Sequence, residues 1–274
     1  MSIVAVNTNT YHGFSLEEAL PGIARAGFSH VEMTAVRGWT EHLMPESGGA
    51  RLERVQALMK DLGLDVIALS GHCNLTDPRR LDDFRRNIEF ARQLGAKWII
   101  SSTGEAHFGG DEALTDEKLT ESIRSLVPDL ERCGLKLGLE VHGDYGTGQS
   151  LLPIVEAVGS PLVGINYDTA NVLYYGGKLP GDDLKTCLSH VNYVHLKDKI
   201  GGKGVWNFPA IGSGELDLVG FIRQAQTSGY AGPLSIEIEF TEDFTMNPKK
   251  PGDIAVVDRA VADSFSFLRK NGIV

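Results

Sequence analysis

The sequence predicts an α/β protein: a single (β/α)8 TIM barrel that occupies residues 1–274 as one catalytic domain. Short apolar runs rich in β-branched residues alternate with amphipathic helical segments, and eight such pairs fit in the 274 residues. Repeated strand–helix–strand units call for a parallel sheet, because each crossover needs its helix. Eight pairs in about 250 residues fit a closed barrel. No linker of biased composition interrupts the alternation, which indicates one domain.

The first half of the chain supplies four predicted strands. Ser15 and Glu18 have the spacing of a capping box at the start of the first helix. Asp77 and Pro78 mark the start of the third helix, because proline is tolerated in a first turn. Pro128 lies inside the fourth helix and is expected to kink or split it. The strands are predicted at 3–7, 28–33, 64–70 and 97–102, with the second and fourth helices at about 50–62 and 115–132.

The second half repeats the pattern four more times. Strands are predicted at 135–141, 161–168, 191–196 and 233–240, and helices at about 149–158, 182–188, 216–228 and 253–270. A doubly wound open sheet could be built from the same units. No glycine-rich dinucleotide fingerprint follows the first strand, which disfavours that alternative.

Composition excludes several classes of partner. The formal net charge of −10 argues against nucleic acid as the main partner. No run of about twenty apolar residues predicts a membrane span, and the first residues lack a signal-peptide pattern. The three scattered cysteines, Cys73, Cys133 and Cys187, match neither a disulfide framework nor a zinc knuckle. These features are typical of a cytoplasmic protein with reduced thiols.

Polar side chains gather where the later strands end, which is where a barrel of this kind carries its chemistry. Glu140 and His142 share one face of the fifth strand by period-2 alternation. Asp168 ends the sixth strand and His195 lies in the seventh. The eighth strand offers two carboxylates, Glu237 and Glu239. Because four consecutive strands are neighbours around half the barrel, one ligand from each can converge on one point.

Three carboxylates and one imidazole suit one divalent metal ion. The hard oxygen ligands favour Mn²⁺, Mg²⁺ or Co²⁺, and Zn²⁺ is possible although no thiolate is placed to favour it. Taken alone, each residue could equally be a cap or a loop hydrogen-bonding group. His142 has two possible roles: general acid–base catalysis, or a hydrogen bond that supports Glu140.

Four motifs resemble those of the xylose isomerase-like TIM barrels, in the sugar phosphate isomerase/epimerase group: GLEVHGD, INYDTAN, YVHLKD and GPLSIEIEF. The resemblance covers nearly the whole chain. It implies that the metal, Mn²⁺ above all, is bound by Glu140, Asp168, His195 and Glu237, with Glu239 not a ligand. It also implies that Glu140 and Glu237 exchange the substrate proton. Many members have D-x-x-H after the sixth strand, whereas this chain has Asn171 at that histidine position.

The resemblance implies a metal-dependent isomerase or epimerase in carbohydrate metabolism. Its substrate would be a sugar, keto-sugar or polyol, and it would act by proton abstraction next to a carbonyl. Homo-oligomers, dimers or tetramers, are also expected on the resemblance alone. The predicted substrate-binding residues are His72, Glu105, His107, Asn171, Lys197 and Trp206, with Asn7 and Glu32 as further recognition groups and Lys199 and Lys203 as possible phosphate ligands.

Three other functions stay open at this point. A metal-dependent lyase could cleave 3-keto-glycosides, either C- or O-glycosides, by β-elimination, and would then work with a smaller partner subunit. The E-x-H pair Glu140–His142 and the absent D-x-x-H histidine suit that alternative. An endonuclease IV-like nuclease with three metal ions is disfavoured by Asn171 and by the acidic charge. A non-catalytic sugar-binding protein is disfavoured because no metal ligand is lost.

Overall fold

The computed structural model describes residues 2–104 and 115–274. Eight parallel strands form a closed barrel in chain order, and two short strands lie outside it. The first and last barrel strands close the ring, with Val4 opposite Leu234 and Val6 opposite Ile236. The predicted barrel is therefore confirmed, and the open-sheet alternative is wrong. The strands are β1 (Val4–Asn7), β2 (His30–Thr34), β3 (Asp65–Ser70), β4 (Trp98–Ser101), β5 (Lys136–Glu140), β6 (Val163–Asp168), β7 (Val191–Leu196), β8 (Asn207–Phe208), β9 (Leu234–Ile236) and β10 (Phe240–Thr241).

Eight of the ten α-helices in the described residues lie at about the positions that the apolar periodicity predicts, whereas the short helices Asn171–Tyr174 and Glu242–Met246 were not predicted. The capping box of Ser15 and Glu18 is present, and Asp77 caps the third helix by accepting from the Arg79 N–H at 2.9 Å. The helices are α1 (Leu16–Ala26), α2 (Gly49–Leu62), α3 (Pro78–Gln93), α4 (Asp116–Cys133), α5 (Gly148–Val158), α6 (Asn171–Tyr174), α7 (Pro180–Cys187), α8 (Leu218–Thr227), α9 (Glu242–Met246) and α10 (Asp253–Lys270).

Pro128 does not split its helix, contrary to one of the two outcomes expected from the sequence. The helix α4 runs without interruption from Asp116 to Cys133 with Pro128 inside it. A proline deprives the helix of one backbone hydrogen bond. The buried side chains of Leu126 and Leu130 flank the proline and pack into the core, so burial keeps this segment helical.

A small antiparallel ribbon of two short strands, β8 and β10, lies outside the barrel and was not predicted from the sequence. The predicted eighth strand, 233–240, is shorter in the structure, because β9 ends at Ile236. The chain turns at Phe240, whose φ of 55° lies in the left-handed region, and β10 then pairs with β8, Phe240 opposite Phe208. This ribbon joins the segment after β7 to the segment after β9, directly above the ends of both strands.

Two apolar clusters support the barrel. The larger lies between the strands and the helices, where Leu137, Leu139 and Val141 point away from the barrel axis. The smaller fills the barrel interior. Within the described part of the chain no helix is long and apolar enough to cross a membrane. The three cysteines are buried and free, which agrees with the prediction of no disulfide framework. The interior cluster consists of Ala5, Ile67, Ala68, Ile100 and Tyr193, with Trp98 packed against it.

Candidate metal centre

Four buried side chains converge at the ends of successive barrel strands. Glu140 ends β5, Asp168 ends β6, His195 lies in β7, and Glu237 follows directly after β9. Asp168 and His195 are register partners. One ligand atom from each of the four residues lies within 4.8 Å of the others. This group could hold one divalent metal ion, and it is the only such group in the ranges 2–104 and 115–274.

The Asp168 carboxylate has one oxygen held by backbone hydrogen bonds and one oxygen without a hydrogen-bond partner in the described part of the chain, as is expected of a metal ligand. Its Oδ1 accepts from the backbone N–H groups of Ala170 at 2.8 Å and Asn171 at 2.7 Å. Its Oδ2 is buried and has no hydrogen-bond partner among the described residues. Burial raises the pKa of Asp168 to about 8. The Lys197 ammonium, 3.9 Å from Oδ2, acts against this rise, and the charges of Glu140 and Glu237 add to it. A bound cation would satisfy this oxygen and favour the ionised carboxylate, so these residues fit a metal site.

Glu32 fixes the orientation of the His195 ring. His195 Nδ1 lies 3.2 Å from Glu140 Oε1, and Nε2 lies 3.0 Å from Glu32 Oε1. Glu32 is fully buried in β2 and also accepts from the Tyr193 hydroxyl at 3.0 Å. Burial lowers the pKa of His195, but Glu32 and Glu140 together raise it well above its usual range. Glu32 therefore holds one ring nitrogen so that the other faces the four-residue group.

The structure places Glu32 and Asn7, which the sequence suggests as recognition groups, away from the lining of the cleft above the group. Asn7 is buried, and its amide donates to Glu237 Oε1 at 3.1 Å. Both residues lie at the ends of early strands, where a polar side chain can point either into the cleft or across the barrel, and the sequence does not distinguish the two.

Glu140 receives hydrogen bonds from two predicted substrate-binding residues. The backbone N–H of Ser102 donates to His72 Nδ1 at 3.1 Å, so the ring proton of neutral His72 lies on Nε2. His72 Nε2 lies 3.2 Å from Glu140 Oε2, and the Asn171 amide donates to Glu140 Oε1 at 3.1 Å. Burial disfavours the ionised form of Glu140, but His72 and His195 outweigh it, and the pKa of Glu140 is lowered. His72 and Asn171 still line the cleft.

Lys197 separates the two carboxylates of the eighth-strand segment. Its Nζ lies 3.3 Å from Glu237 Oε2 and forms an ion pair with Glu239. Burial opposes the ammonium form, but Glu237 and Glu239 raise the pKa of Lys197 well above its usual range. Glu237 joins Glu140, Asp168 and His195 in the group, whereas Glu239 is not among its members. Lys197, a predicted substrate-binding residue, does line the cleft.

A cleft of about 480 Å³, including the part open to solvent, lies above the group. His142 lines it and contacts the Tyr175 hydroxyl through Nε2 at 2.8 Å. The strand ends at Glu140, so His142 lies in a turn that bridges to Tyr145 rather than on the strand itself. Burial lowers the pKa of His142 to about 4, which favours the neutral imidazole. Trp206, which the sequence analysis predicts to bind substrate, also lines the cleft.

Some residues that line the cleft were not predicted from the sequence. Conversely, some predicted residues lie outside the described part of the chain or do not line the cleft. The sequence analysis missed Asn9, Trp39 and Tyr175, all of which line the cleft. Asn9 lies two residues after the end of β1, and that position was a signal for it. Trp39 and Tyr175 occur in loops without a readable pattern. Predicted Glu105 and His107 lie outside the described residues. Lys199 and Lys203 do not line the cleft.

Comparison with known proteins agrees with the barrel fold. The family model of the xylose isomerase-like TIM barrel matches residues 22–269. The chain belongs to that family. Solved structures of the same architecture include a D-psicose 3-epimerase, with a TM-score of 0.78 at 16% identity over 100% of both chains. Another is a xylose isomerase-like TIM barrel protein from Mycobacterium smegmatis in complex with magnesium, with a TM-score of 0.73 at 17% identity, covering 97% of this chain and 98% of that one. At these identities the likeness shows the fold.

Curated relatives of this family member include two dehydratases. The 3-dehydroshikimate dehydratase of Pseudomonas putida is 28% identical over 253 residues, which is 86% of this chain and 38% of that protein. The inosose dehydratase of Geobacillus kaustophilus is 28% identical over 163 residues, or 53% of each chain. The chain therefore spans well under two thirds of the length of these relatives.

Proposed function

We propose that this family member binds one divalent ion through Glu140, Asp168, His195 and Glu237. The observation that carries the proposal is the buried Asp168 Oδ2, which lacks a hydrogen-bond partner within the described residues and belongs to the group of four. Three carboxylates and one imidazole favour Mn²⁺, with Mg²⁺, Co²⁺ or Zn²⁺ as alternatives. Within residues 2–104 and 115–274 one group of such ligands is found, which supports one ion rather than the three-ion site of the nuclease considered from the sequence.

We infer that the enzyme removes a proton next to a carbonyl of a sugar or sugar derivative. When bound, the metal would polarise the carbonyl or an adjacent hydroxyl and make the neighbouring C–H more acidic. His142 is a neutral base at the cleft wall, held by Tyr175. Family resemblance gives Glu140 and Glu237 a share in proton exchange, and His72 and Lys197 keep these two carboxylates ionised.

Isomerisation or epimerisation is the product class proposed first. Substrate hydroxyls need hydrogen-bonding groups, and the cleft wall supplies Asn9, His72, Asn171 and Lys197. Trp206 would cover the sugar face. The epimerases among the solved structures share the barrel but not enough sequence to transfer their substrates. A cytoplasmic location and a homo-oligomer belong to the same proposal, and light scattering at micromolar concentration should give a dimer or tetramer mass.

Elimination is the second candidate, and one observation favours it. The Lys197 ammonium is buried at the cleft and lies next to Glu237 and Glu239. An ammonium there can give its proton to a leaving oxygen after His142 has taken the carbon-bound proton. The dehydratases among the relatives support this alternative. If the substrate is a 3-keto-glycoside, the lyase would deglycosylate it together with a smaller partner subunit.

One experiment separates the candidates. The Mn²⁺-loaded protein is incubated in D₂O with a panel of ketoses, 3-keto-glycosides and 3-dehydroshikimate, and followed by NMR and mass spectrometry. Deuterium incorporation into an isomer that keeps all its oxygens would establish isomerase or epimerase activity. Loss of water or release of an aglycone would establish the lyase. No exchange and no conversion of any panel member would contradict proton abstraction from substrates of this class.

A further inference from the structure

Lys199 lies inside a closed loop rather than at the cleft. The loop covers residues 199–207, and the Ile200 N–H donates to the Asn207 carbonyl at 3.0 Å, which joins its ends. The Lys199 side chain is fully buried. Its Nζ donates to the carbonyl oxygen of Ile200 at 3.3 Å and to that of Val205. The ammonium therefore ties the start of the loop to its far side.

Aromatic faces complete the surroundings of this ammonium. The Phe208 ring centroid lies 5.2 Å from Lys199 Nζ, and the Tyr174 centroid lies 5.6 Å away. Burial lowers the pKa of Lys199. An ammonium held in this way is stabilised by carbonyl dipoles and ring quadrupoles. A lysine that is free to bind a phosphate would not be buried, so the phosphate role that the sequence left possible does not fit Lys199.

The same aromatic side chains also hold Trp206. Its ring centroid lies 5.5 Å from that of Phe208 and 6.0 Å from that of Tyr174. All three rings line the cleft. Trp206 follows Val205, whose carbonyl accepts from Lys199, and the Gly204 N–H donates to the Tyr174 carbonyl at 3.0 Å. The position of the Trp206 ring thus depends on a loop whose interior is filled by Lys199.

We propose that Lys199 is a positioning residue that holds the 199–207 loop closed and thereby fixes Trp206 at the wall of the cleft. Removing the ammonium leaves the Ile200 and Val205 carbonyls without that donor and leaves space inside the loop. The loop then opens locally while the barrel stays intact, because the ammonium's two hydrogen bonds both lie within the loop. A contribution of Trp206 to substrate binding at the cleft wall rests on the proposed function, whereas the closure of the loop by Lys199 does not.

Fluorine NMR of protein labelled with 5-fluorotryptophan tests the proposal without a substrate. The chain has three tryptophans, and Trp206→Phe assigns the resonance of interest. Lys199→Met should shift or broaden the Trp206 resonance and leave those of Trp39 and Trp98 in place. Lys199→Arg keeps a charged donor and should restore the wild-type position. Lys185→Met, which removes an exposed lysine paired with Asp182, is the matched control and should change nothing.

Limited trypsin digestion gives a second readout on the same variants. Lys203 is exposed at the tip of the loop, so cleavage after it reports opening. Loss of hydrogen bonds from a charged donor should raise the cleavage rate at Lys203 by about tenfold or more in Lys199→Met. An unchanged Trp206 resonance with unchanged cleavage would overturn the proposal. So would an equal perturbation of all three tryptophans, because the lysine would then support the whole barrel. If the loop results hold but no panel substrate reacts, the proposed function fails and the positioning role stands.

Discussion

Two histidines near Glu140 differ in what their hydrogen bonds allow them to do. His72 accepts from the Ser102 backbone, which directs its remaining ring proton to Glu140. His142 is instead in contact with the Tyr175 hydroxyl, 2.8 Å from Nε2, and faces the cleft. The first arrangement holds a carboxylate in place. The second leaves an imidazole beside the space that a substrate would occupy, which is why His142 is assigned the base.

Replacing His142 by alanine tests that assignment. Loss of a general acid–base group should lower the rate by about 10²–10⁴-fold, while the metal content stays near one per chain. If His142 only supports Glu140, Mn²⁺ affinity should fall instead by about 10–100-fold, and excess metal should restore activity. Titration of the variant with Mn²⁺ separates the two roles. A variant with nearly full activity at ordinary metal concentration would contradict both.

The role of Glu32 as the partner of His195 becomes visible only in the structure, and a substitution can test it. Glu32→Gln keeps the size of the side chain but removes the charge that holds His195 Nε2. Mn²⁺ affinity should fall by about 10–100-fold, as measured by calorimetry, since partners of a metal-binding histidine matter to that degree. Glu46→Gln, which alters an exposed carboxylate paired with Arg37, is the control and should leave affinity unchanged. Equal affinities for Glu32→Gln and the wild type would show that His195 needs no such partner.

At the scale of the secondary-structure elements, the packing of α1 on α10 depends on one glycine. A Cβ at Gly22 would collide with Asp258 Oδ1 and with the Tyr11 hydroxyl, which donates to that same oxygen at 2.9 Å. Gly22→Ala should therefore destabilise the protein by about 1–3 kcal/mol, the usual effect of overpacking. Gly49→Ala is the matched control, because nothing lies within 4 Å of its added Cβ. Urea unfolding measures both, and a Gly22→Ala protein as stable as the control would contradict this packing.

The elements also show how far the sequence could predict this molecule. Glu140, Asp168 and His195 were predictable, because each interrupts an apolar run at its end and such ends meet in a barrel. The sequence alone could not choose between Glu237 and Glu239, which are two residues apart. In the structure Glu237, and not Glu239, has an oxygen within 4.8 Å of ligand atoms of Glu140, Asp168 and His195. The ribbon of β8 and β10 has two residues in each strand, too few for any periodicity to appear.

At the scale of the whole molecule, closure of the barrel brings Glu32 to the four-residue group. Glu140, Asp168, His195 and Glu237 lie at the ends of β5, β6, β7 and β9, which pair with one another in that order. Glu32 comes from β2, and it reaches His195 because β1 pairs with both β2 and β9. An open sheet would leave β2 far from β7 and His195 without its partner. We therefore propose that the four-residue group, with Glu32 behind His195, holds one metal ion.

The stoichiometry of Mn²⁺ binding tests that claim most directly. Protein freed of metal by a chelator is titrated with Mn²⁺ and followed by calorimetry and by electron paramagnetic resonance, beside Asp168→Asn and the Glu46→Gln control. We expect one ion per chain for the wild type and the control. Asp168→Asn, folded as judged by circular dichroism, should lose at least about tenfold in affinity because it lacks the charged oxygen that has no hydrogen-bond partner among the described residues. No binding by the wild type, or equal binding by Asp168→Asn, would contradict the account.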